Sequence, residues 1–192
     1  MKKRSRIRET AAVVAASAVA LVTVQGSSAA AGGGESPTVC VGTRPVGSLP
    51  GPEPSVFRVL AYIEKRGETR YRSVFTGLSV DEDQRIADVY RIPSRAFDAD
   101  ICAHAEKGVR VRVHDTDVTA RRLDALVERI GGDDMSRWDD RFDLRSVGPD
   151  PSGFVHIGVD DPATADLIIK KALGKFWAKH IRVEYEGSAS LV

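Results

Sequence analysis

Histidines and carboxylates are the residues of this chain whose chemistry could support a hydrolase. The sequence has 27 aspartates and glutamates and four histidines, His104, His114, His156 and His180. An imidazole that accepts a proton, oriented by a carboxylate, activates water or a nucleophile in many enzymes. One hypothesis is therefore a secreted hydrolase that uses an aspartate or glutamate with His114 or His156.

The local motifs that mark established catalytic sites are missing from the sequence. It has no G-x-S-x-G, no H-E-x-x-H, no C-x-x-C and no glycine-rich phosphate loop after a strand. Ser136, Ser146 and Ser152 fall in predicted turns or at strand edges, and no pair of carboxylates stands out as the acid and base of a glycosidase. We therefore predict no catalytic residue and no cofactor.

Two acidic segments contain side chains that ligate cations in other proteins. His114-Asp115-Thr116-Asp117 ends a predicted strand, and Asp81-Glu82-Asp83 lies at a predicted hairpin. The second segment lacks the alternating ligands and the glycine of a calcium loop. Segments of this kind are usually solvated turns, so we predict no metal site. Trp138 and the Phe176-Trp177 pair could contact a sugar or a peptide, although aromatic residues after amphipathic helices more often form the edge of a core.

The first 31 residues have the pattern of a secretory signal peptide. Five basic residues lie in the first eight positions, an apolar run covers Ala11 to Val24, and small residues follow from Ser27 to Ala31. The run is shorter than the roughly 20 residues that span a bilayer. We predict export with cleavage near Ala29–Ala31 and no membrane contact afterwards; the alternative is an uncleaved anchor.

Removal of this segment changes the charge of the chain. The full sequence has 28 basic and 27 acidic residues, whereas the part after residue 31 has 23 basic and 26 acidic residues, a net charge of −3. A mildly acidic protein lacks the basic surface that binds phosphates. We therefore predict no nucleic-acid partner.

The two cysteines, Cys40 and Cys102, both lie after the predicted cleavage site. Outside the cell two thiols tend to pair, and closing so long a loop stabilises a protein by about 4 kcal/mol in the chain-entropy model. Cys40 and Cys102 are therefore a disulfide candidate. The alternative is two separate thiols.

A linker and a folded body are predicted beyond the signal peptide. Residues 32–54 are rich in Gly, Pro and Ser, which is typical of a flexible linker. The body begins near Ser55, where a helix starts that ends before Gly67. Two strands, a helix capped by Ser94 and a valine-rich strand follow.

The same order of elements recurs in the second part of the body. Helical spacing starts near Asp117 or Thr119, a predicted hairpin crosses 142–159, Asp161-Pro162 begins a helix, and a last strand covers 181–185. We therefore predict an α+β fold made of two successive helix-strand-strand-helix-strand units, about 55–115 and 117–187, with helices packed on small sheets.

Short motifs in both units resemble a known protein family. Tyr71 to Asp81 reads Y-x-x-x-F-x-G-L-x-V-D, and the second unit ends in Ile181-Arg182-Val183-Glu184-Tyr185. With the order of elements, these motifs look like the pro-regions of secreted bacterial proteases of the α-lytic protease and streptogrisin type. The chain is also similar to small exported proteins of GC-rich bacteria.

The resemblance implies an activity that needs a second chain. In that family a protease domain follows the pro-region, whereas this sequence stops at Val192. The implied function is non-catalytic, namely folding or inhibiting a secreted serine protease in trans. The last strand of the family's pro-region adds to the protease, and the tail enters its substrate cleft. The partner-binding residues implied here are Ile181, Val183, Tyr185, Leu191 and Val192. The alternatives are an internal strand with a frayed tail, and a cell-envelope protein of structural role.

Overall fold

The structure is a computed structural model that describes residues 37–132, 138 and 140–187. The predicted signal peptide lies outside the described residues. None of the helices within them is long and apolar enough to cross a membrane.

Each half of the described chain contains the predicted series of elements. The first half has β1 (Thr38–Val41), α1 (Ser55–Thr69), β2 (Phe75–Asp81), β3 (Ile86–Arg91), α2 (Arg95–His104) and β4 (Arg110–Asp115). The second half has α3 (Ala120–Gly131), β5 (Leu144–Asp150), β6 (Phe154–Val159), α4 (Pro162–Leu173), α5 (Lys175–Ala178) and β7 (Ile181–Tyr185). Apart from β1 and the short α5, both halves follow helix-strand-strand-helix-strand. The predicted α+β fold is confirmed.

The two sheets share one topology, to which the first half adds a strand. The first sheet has the order β1-β4-β3-β2 and the second has β5-β6-β7. In each, the two hairpin strands are antiparallel, and the strand that follows the second helix runs parallel to the second hairpin strand. Strands β2, β3 and β4 therefore correspond to β5, β6 and β7. Only β1, which pairs antiparallel with β4, lacks a counterpart among the described residues.

Each sheet forms its own core with its helices. In the first half Phe97 and Ile101 of α2 and Ile63 of α1 are fully buried against the sheet. In the second half Leu123 of α3 and Ile169 of α4 are equally buried. Helical spacing puts these side chains on one stripe of each helix, and their burial is the main stabilising contribution to each half.

Capping side chains begin two of the helices as predicted, whereas the predicted end of α1 at Gly67 is wrong. Ser94 and Asp161 cap α2 and α4 as predicted, because their side chains accept hydrogen bonds from the backbone N–H of Phe97 and Thr164 at 3.4 and 3.2 Å. Helix α1, however, continues through Gly67 to Thr69. A Cβ at position 67 would lie 2.5 Å from the ring of Phe75, so the glycine serves packing and does not end the helix.

The prediction of a flexible linker over 32–54 is wrong for the part that the structure describes. Strand β1 pairs with β4, and Leu49 is buried in the first core. The disulfide between Cys40 and Cys102 joins β1 to α2, with 5.9 Å between the Cα atoms. A segment rich in Gly and Pro is ordered here because it pairs with a sheet edge and is covalently attached to a helix.

A buried ion pair holds the segment between β1 and α1 in place. Glu106 is fully buried and accepts hydrogen bonds from the Arg58 guanidinium and from the Leu49 backbone N–H, the latter at 2.9 Å. The hydrogen bond from Arg58 outweighs the opposing effect of burial and, with the Leu49 amide, lowers the pKa of Glu106 to about 2. The carboxylate thereby connects the loop to the start of α1.

The outer edge of β2 lies against the second half. Thr76 donates a hydrogen bond to the backbone C=O of Val118, and its hydroxyl is 2.7 Å from that of Thr116. A Cβ at Gly77 would lie 2.6 Å from the backbone of Pro151, in the turn between β5 and β6. This close approach needs a residue without a side chain.

Candidate functional site

Within the described residues, strand β7 is paired on one side only. Val155 N–H donates to the C=O of His180 at 2.7 Å, and Glu186 N–H donates to the C=O of Val159 at 2.8 Å. Successive residues of a strand turn their backbone groups to opposite sides, so the even-numbered residues of β7 face β6. The odd-numbered residues therefore turn their N–H and C=O groups to the outer side.

The outer side of β7 consists of three residues for which the family resemblance implies partner binding, Ile181, Val183 and Tyr185. No strand in the described part of the chain pairs with this edge. The side chain of Ile181 belongs to the core, that of Val183 is half-buried, and that of Tyr185 is 71% exposed. Ile181 and Val183 thus present backbone groups, whereas Tyr185 also presents its ring. The other two assigned residues, Leu191 and Val192, lie outside the described residues.

The face of β7 opposite the helices has two exposed charges of opposite sign. Arg182 places its guanidinium 3.7 Å from the ring centroid of Phe154 on β6. Glu184 has a carboxylate oxygen 3.5 Å from Nδ1 of His156, also on β6. Both side chains therefore lie over the neighbouring strand and border the unpaired edge.

The corresponding edge of the first half is occupied. Thr116 N–H donates to the C=O of Arg91, so the even-numbered residues of β4 face β3 and Val111 and Val113 face outward. Strand β1 runs antiparallel along that side, with Cys40 opposite Val111 and Thr38 opposite Val113. The corresponding strand is thus paired with β1 in the first half, whereas in the second half no strand of the described part of the chain pairs with it.

A cluster of aromatic and basic residues lies at the start of β7. The Arg122 guanidinium is 4.5 Å from the ring centroid of Phe176 and 5.1 Å from that of Trp177. Lys179 pairs with Asp117. Burial works to raise the pKa of Asp117, but the hydrogen bond from Lys179 and the nearby His180 hold that pKa below its ordinary value. The cluster joins α3 to the α5–β7 connection.

Two of the histidines lie beside carboxylates on the faces of the sheets. His114 Nε2 is 2.6 Å from Asp88 Oδ1, and Arg112 holds both oxygens of the same carboxylate. Burial favours a higher pKa for Asp88, but its hydrogen bonds to Arg112 and His114 lower it. His156 lies between Asp150 and Glu184, at 3.6 and 3.5 Å. The carboxylate beside His114 is thus already occupied by a guanidinium.

The remaining two histidines contact a backbone carbonyl as well as a carboxylate, Asp100 beside His104 and Asp117 beside His180. His104 lies 2.8 Å from the C=O of Asp100 and stacks on Tyr62. His180 is buried, and its Nδ1–H donates to the C=O of Gly153 at 2.8 Å. Its Nε2 is 3.0 Å from Asp117 Oδ1 but outside hydrogen-bonding geometry. Both rings therefore contribute to packing between elements.

The two acidic segments do not gather their side chains around a common point. Asp115 pairs with Arg91, whereas Asp117 pairs with Lys179 in the second half. At the other segment Asp81 accepts hydrogen bonds from Gln84, which closes the β2–β3 turn. Trp138 is buried, and its Nε1–H donates to the C=O of Ile130, so this tryptophan belongs to the core.

Comparison with known proteins finds no matching family model, no matching curated protein and no matching solved structure.

Proposed function

We propose that the chain is an exported, non-enzymatic binding protein that acts in trans on a secreted serine protease, as an inhibitor or folding chaperone. The observation that carries the proposal is the outer edge of β7, which no described strand pairs, at the position where β1 pairs with β4 in the first half. The sequence resemblance to protease pro-regions supplies the class of partner.

An unpaired strand edge is a suitable binding surface because its backbone groups accept an added strand. Main-chain hydrogen bonds give such pairing its affinity, and alternate side chains give it selectivity. Strand β7 has neither proline nor glycine, and its edge residues Val183 and Tyr185 are partly or largely exposed. At the opposite side of the same sheet, β5 contains Gly148 and Pro149, which disfavour addition of a further strand.

Two features support the export part of the proposal. The first 31 residues have the pattern of a signal peptide. The Cys40–Cys102 disulfide is a bond that persists in oxidising compartments and is rare in the cytosol. A secreted protease and this chain would then meet in the same compartment.

The first test is the residual activity of secreted chymotrypsin-like proteases after they are mixed with residues 36–192, the compact unit of this chain. We expect stoichiometric inhibition of at least one protease, measured with a small peptide substrate. Faster recovery of activity when the denatured protease is refolded with the chain would indicate a chaperone. A chain that neither inhibits nor refolds any of these proteases would overturn the proposal.

A matched pair of variants tests whether the edge of β7 is the contact. Val183→Pro removes the central outward N–H without removing a hydrogen bond to β6, and Val183→Ala loses similar packing but keeps that N–H. We expect Val183→Pro to weaken inhibition by about tenfold, corresponding to about 1.4 kcal/mol, and Val183→Ala to resemble the wild type. Equal inhibition by both variants would contradict an edge contact. Deletion of 187–192 separately tests the predicted contact of the tail with the cleft.

A further inference from the structure

The outer edge of β7 is complementary to itself. Its central residue, Val183, has Arg182 on one side and Glu184 on the other, and both charges are exposed. We propose that this chain forms a two-fold symmetric dimer in which β7 pairs antiparallel with β7 of a second copy, with the axis at Val183. The two three-stranded sheets would then join as one six-stranded sheet.

The backbone of β7 meets the requirement for this pairing. In an antiparallel ladder, residues whose N–H and C=O both point to the partner exchange two hydrogen bonds with the residue directly opposite. The outward residues are Ile181, Val183 and Tyr185. With the axis at Val183, that residue faces its own copy, and Ile181 faces Tyr185 of the second copy. Every outward backbone group of β7 therefore gains a partner.

The side chains select the same register. Arg182 lies opposite Glu184 of the second copy, and symmetry repeats this pair on the other side of the axis. These are the positions of an antiparallel pair at which no hydrogen bonds are exchanged, where the Cα atoms approach to about 4.5 Å and side chains are closest. Shifting the register by two residues in one direction would place Arg182 opposite Arg182 of the second copy, and in the other direction Glu184 opposite Glu184. Either shift brings like charges together at the axis and leaves part of the outward backbone of β7 facing residues beyond the strand. Charge complementarity thus favours the register with the axis at Val183.

The surroundings of the two charges are compatible with this contact. Phe154 supports Arg182 and His156 lies beside Glu184, both from β6, so the charged groups already lie on the face where the opposite pair would meet them. On the other face, Tyr185 is 71% exposed in the single chain. In the dimer its ring would lie beside Ile181 of the second copy, which removes apolar surface from water.

This inference does not rest on the proposed function, although both concern one edge. A dimer covers the strand that a protease would need, so inhibition would require the dimer to dissociate. The potency per chain would then fall as the chain concentration rises above the dissociation constant of the dimer. Dimerisation is measured without protease, so failure of either proposal leaves the other open to its own test.

The test is the molar mass of residues 36–192 as a function of concentration, by sedimentation velocity. The wild type is expected to shift from monomer to dimer. Arg182→Glu and Glu184→Arg each place like charges opposite one another twice, and each is expected to raise the dissociation constant by about tenfold or more. Arg95→Glu, at an exposed position in the first half, is the control for a change of net charge and should dimerise as the wild type.

Mixing the two reversed variants makes the test specific for this register. Arg182→Glu has two acidic residues beside Val183 and Glu184→Arg has two basic ones, so an equimolar mixture is expected to form a heterodimer. The double variant Arg182→Glu/Glu184→Arg should dimerise again. A wild type that stays monomeric up to its solubility limit, a reversed variant that dimerises as the wild type, or a mixture of folded variants that stays monomeric would each overturn the proposal.

Discussion

The two halves of the molecule differ mainly in what lies beyond their last strand. Strand β4 is covered by β1, which is attached to α2 by a disulfide, whereas β7 has no strand on its outer side in the described residues. Otherwise the hairpins, the parallel pairs and the covering helices correspond. The difference shows that this arrangement accepts an antiparallel strand at that edge, and that in the first half the added strand comes from outside the repeated unit.

The largest effect on the difference between the two halves is expected when the disulfide that attaches β1 to α2 is removed. Replacement of both cysteines, as in Cys40→Ser/Cys102→Ser, is expected to lower the free energy of unfolding by about 4 kcal/mol, because the unfolded chain loses a long closed loop. Urea denaturation measures that loss. Hydrogen exchange locates the loss, since the amides of Val111 and Val113 should approach the fast exchange expected for Val183 and Tyr185 in the monomer.

Reduction of the wild-type disulfide is the control for that experiment. It should produce the same loss of protection at Val111 and Val113 without any substitution. Protection that persists at these two amides in the reduced protein and in the double variant would show that β1 stays on β4 without the covalent bond.

The next largest effect is expected at the ion pair that holds the loop after β1. Glu106→Gln leaves the buried Arg58 without its counter-charge and should cost about 3 kcal/mol of unfolding free energy. The pKa of Glu106 is lowered from its ordinary 4.5 to about 2 in the folded protein. The stabilisation is therefore present above about pH 4.5 and is lost as the pH falls towards 2.

Urea denaturation at several pH values checks both parts of this prediction. The loss of stability between pH 4.5 and 2 should be smaller in Glu106→Gln than in the wild type. Glu68→Gln, at an exposed position of α1, is the control and should leave the unfolding free energy within about 0.5 kcal/mol of the wild type. An equal effect of the two substitutions would contradict the role of the buried pair.

The smallest of the three effects is expected where the outer edge of β2 contacts the turn between β5 and β6 of the second half. Gly77→Ala would place a Cβ 2.6 Å from the backbone of Pro151, which neither strand can avoid by rotating a side chain. We expect a cost of about 1–3 kcal/mol in thermal or urea unfolding. Gly148→Ala in β5 is the matched control, because a Cβ there meets no atom within 4 Å. A similar cost for both would show that β2 does not need this close contact.

Local patterns were sufficient to predict the repeated elements. The caps at Ser94 and Asp161 and the alternating valines of β4 depend on neighbouring residues, and these signals are legible in one sequence. Strand β1 was missed because four residues between glycine- and proline-rich segments have no periodicity of their own. Its order comes from pairing with β4 and from Cys102, both more than sixty residues away in sequence.

The candidate site was predictable as a strand but not as an edge. The alternation in 181–185 predicts that Ile181, Val183 and Tyr185 point inward. Ile181 is buried and Val183 half-buried as predicted, whereas the prediction is wrong for Tyr185, which is 71% exposed. Which strand is outermost depends on the order of strands in the sheet, and that order is set by contacts distant in sequence. The assignment of Ile181 to partner binding therefore concerns its backbone, since its side chain packs inside.

The position of β1 also determines when the first half can be completed during synthesis. β1 leaves the ribosome before any other described strand, yet its partner β4 is made about seventy residues later, after a helix, a hairpin and a second helix. Until Asp115 has emerged, the chain cannot form the four-stranded sheet, and pairs so distant in sequence form slowly. Both cysteines precede β4 in the sequence, so they are present before the four-stranded sheet can form, and the disulfide holds β1 to α2 in the completed sheet.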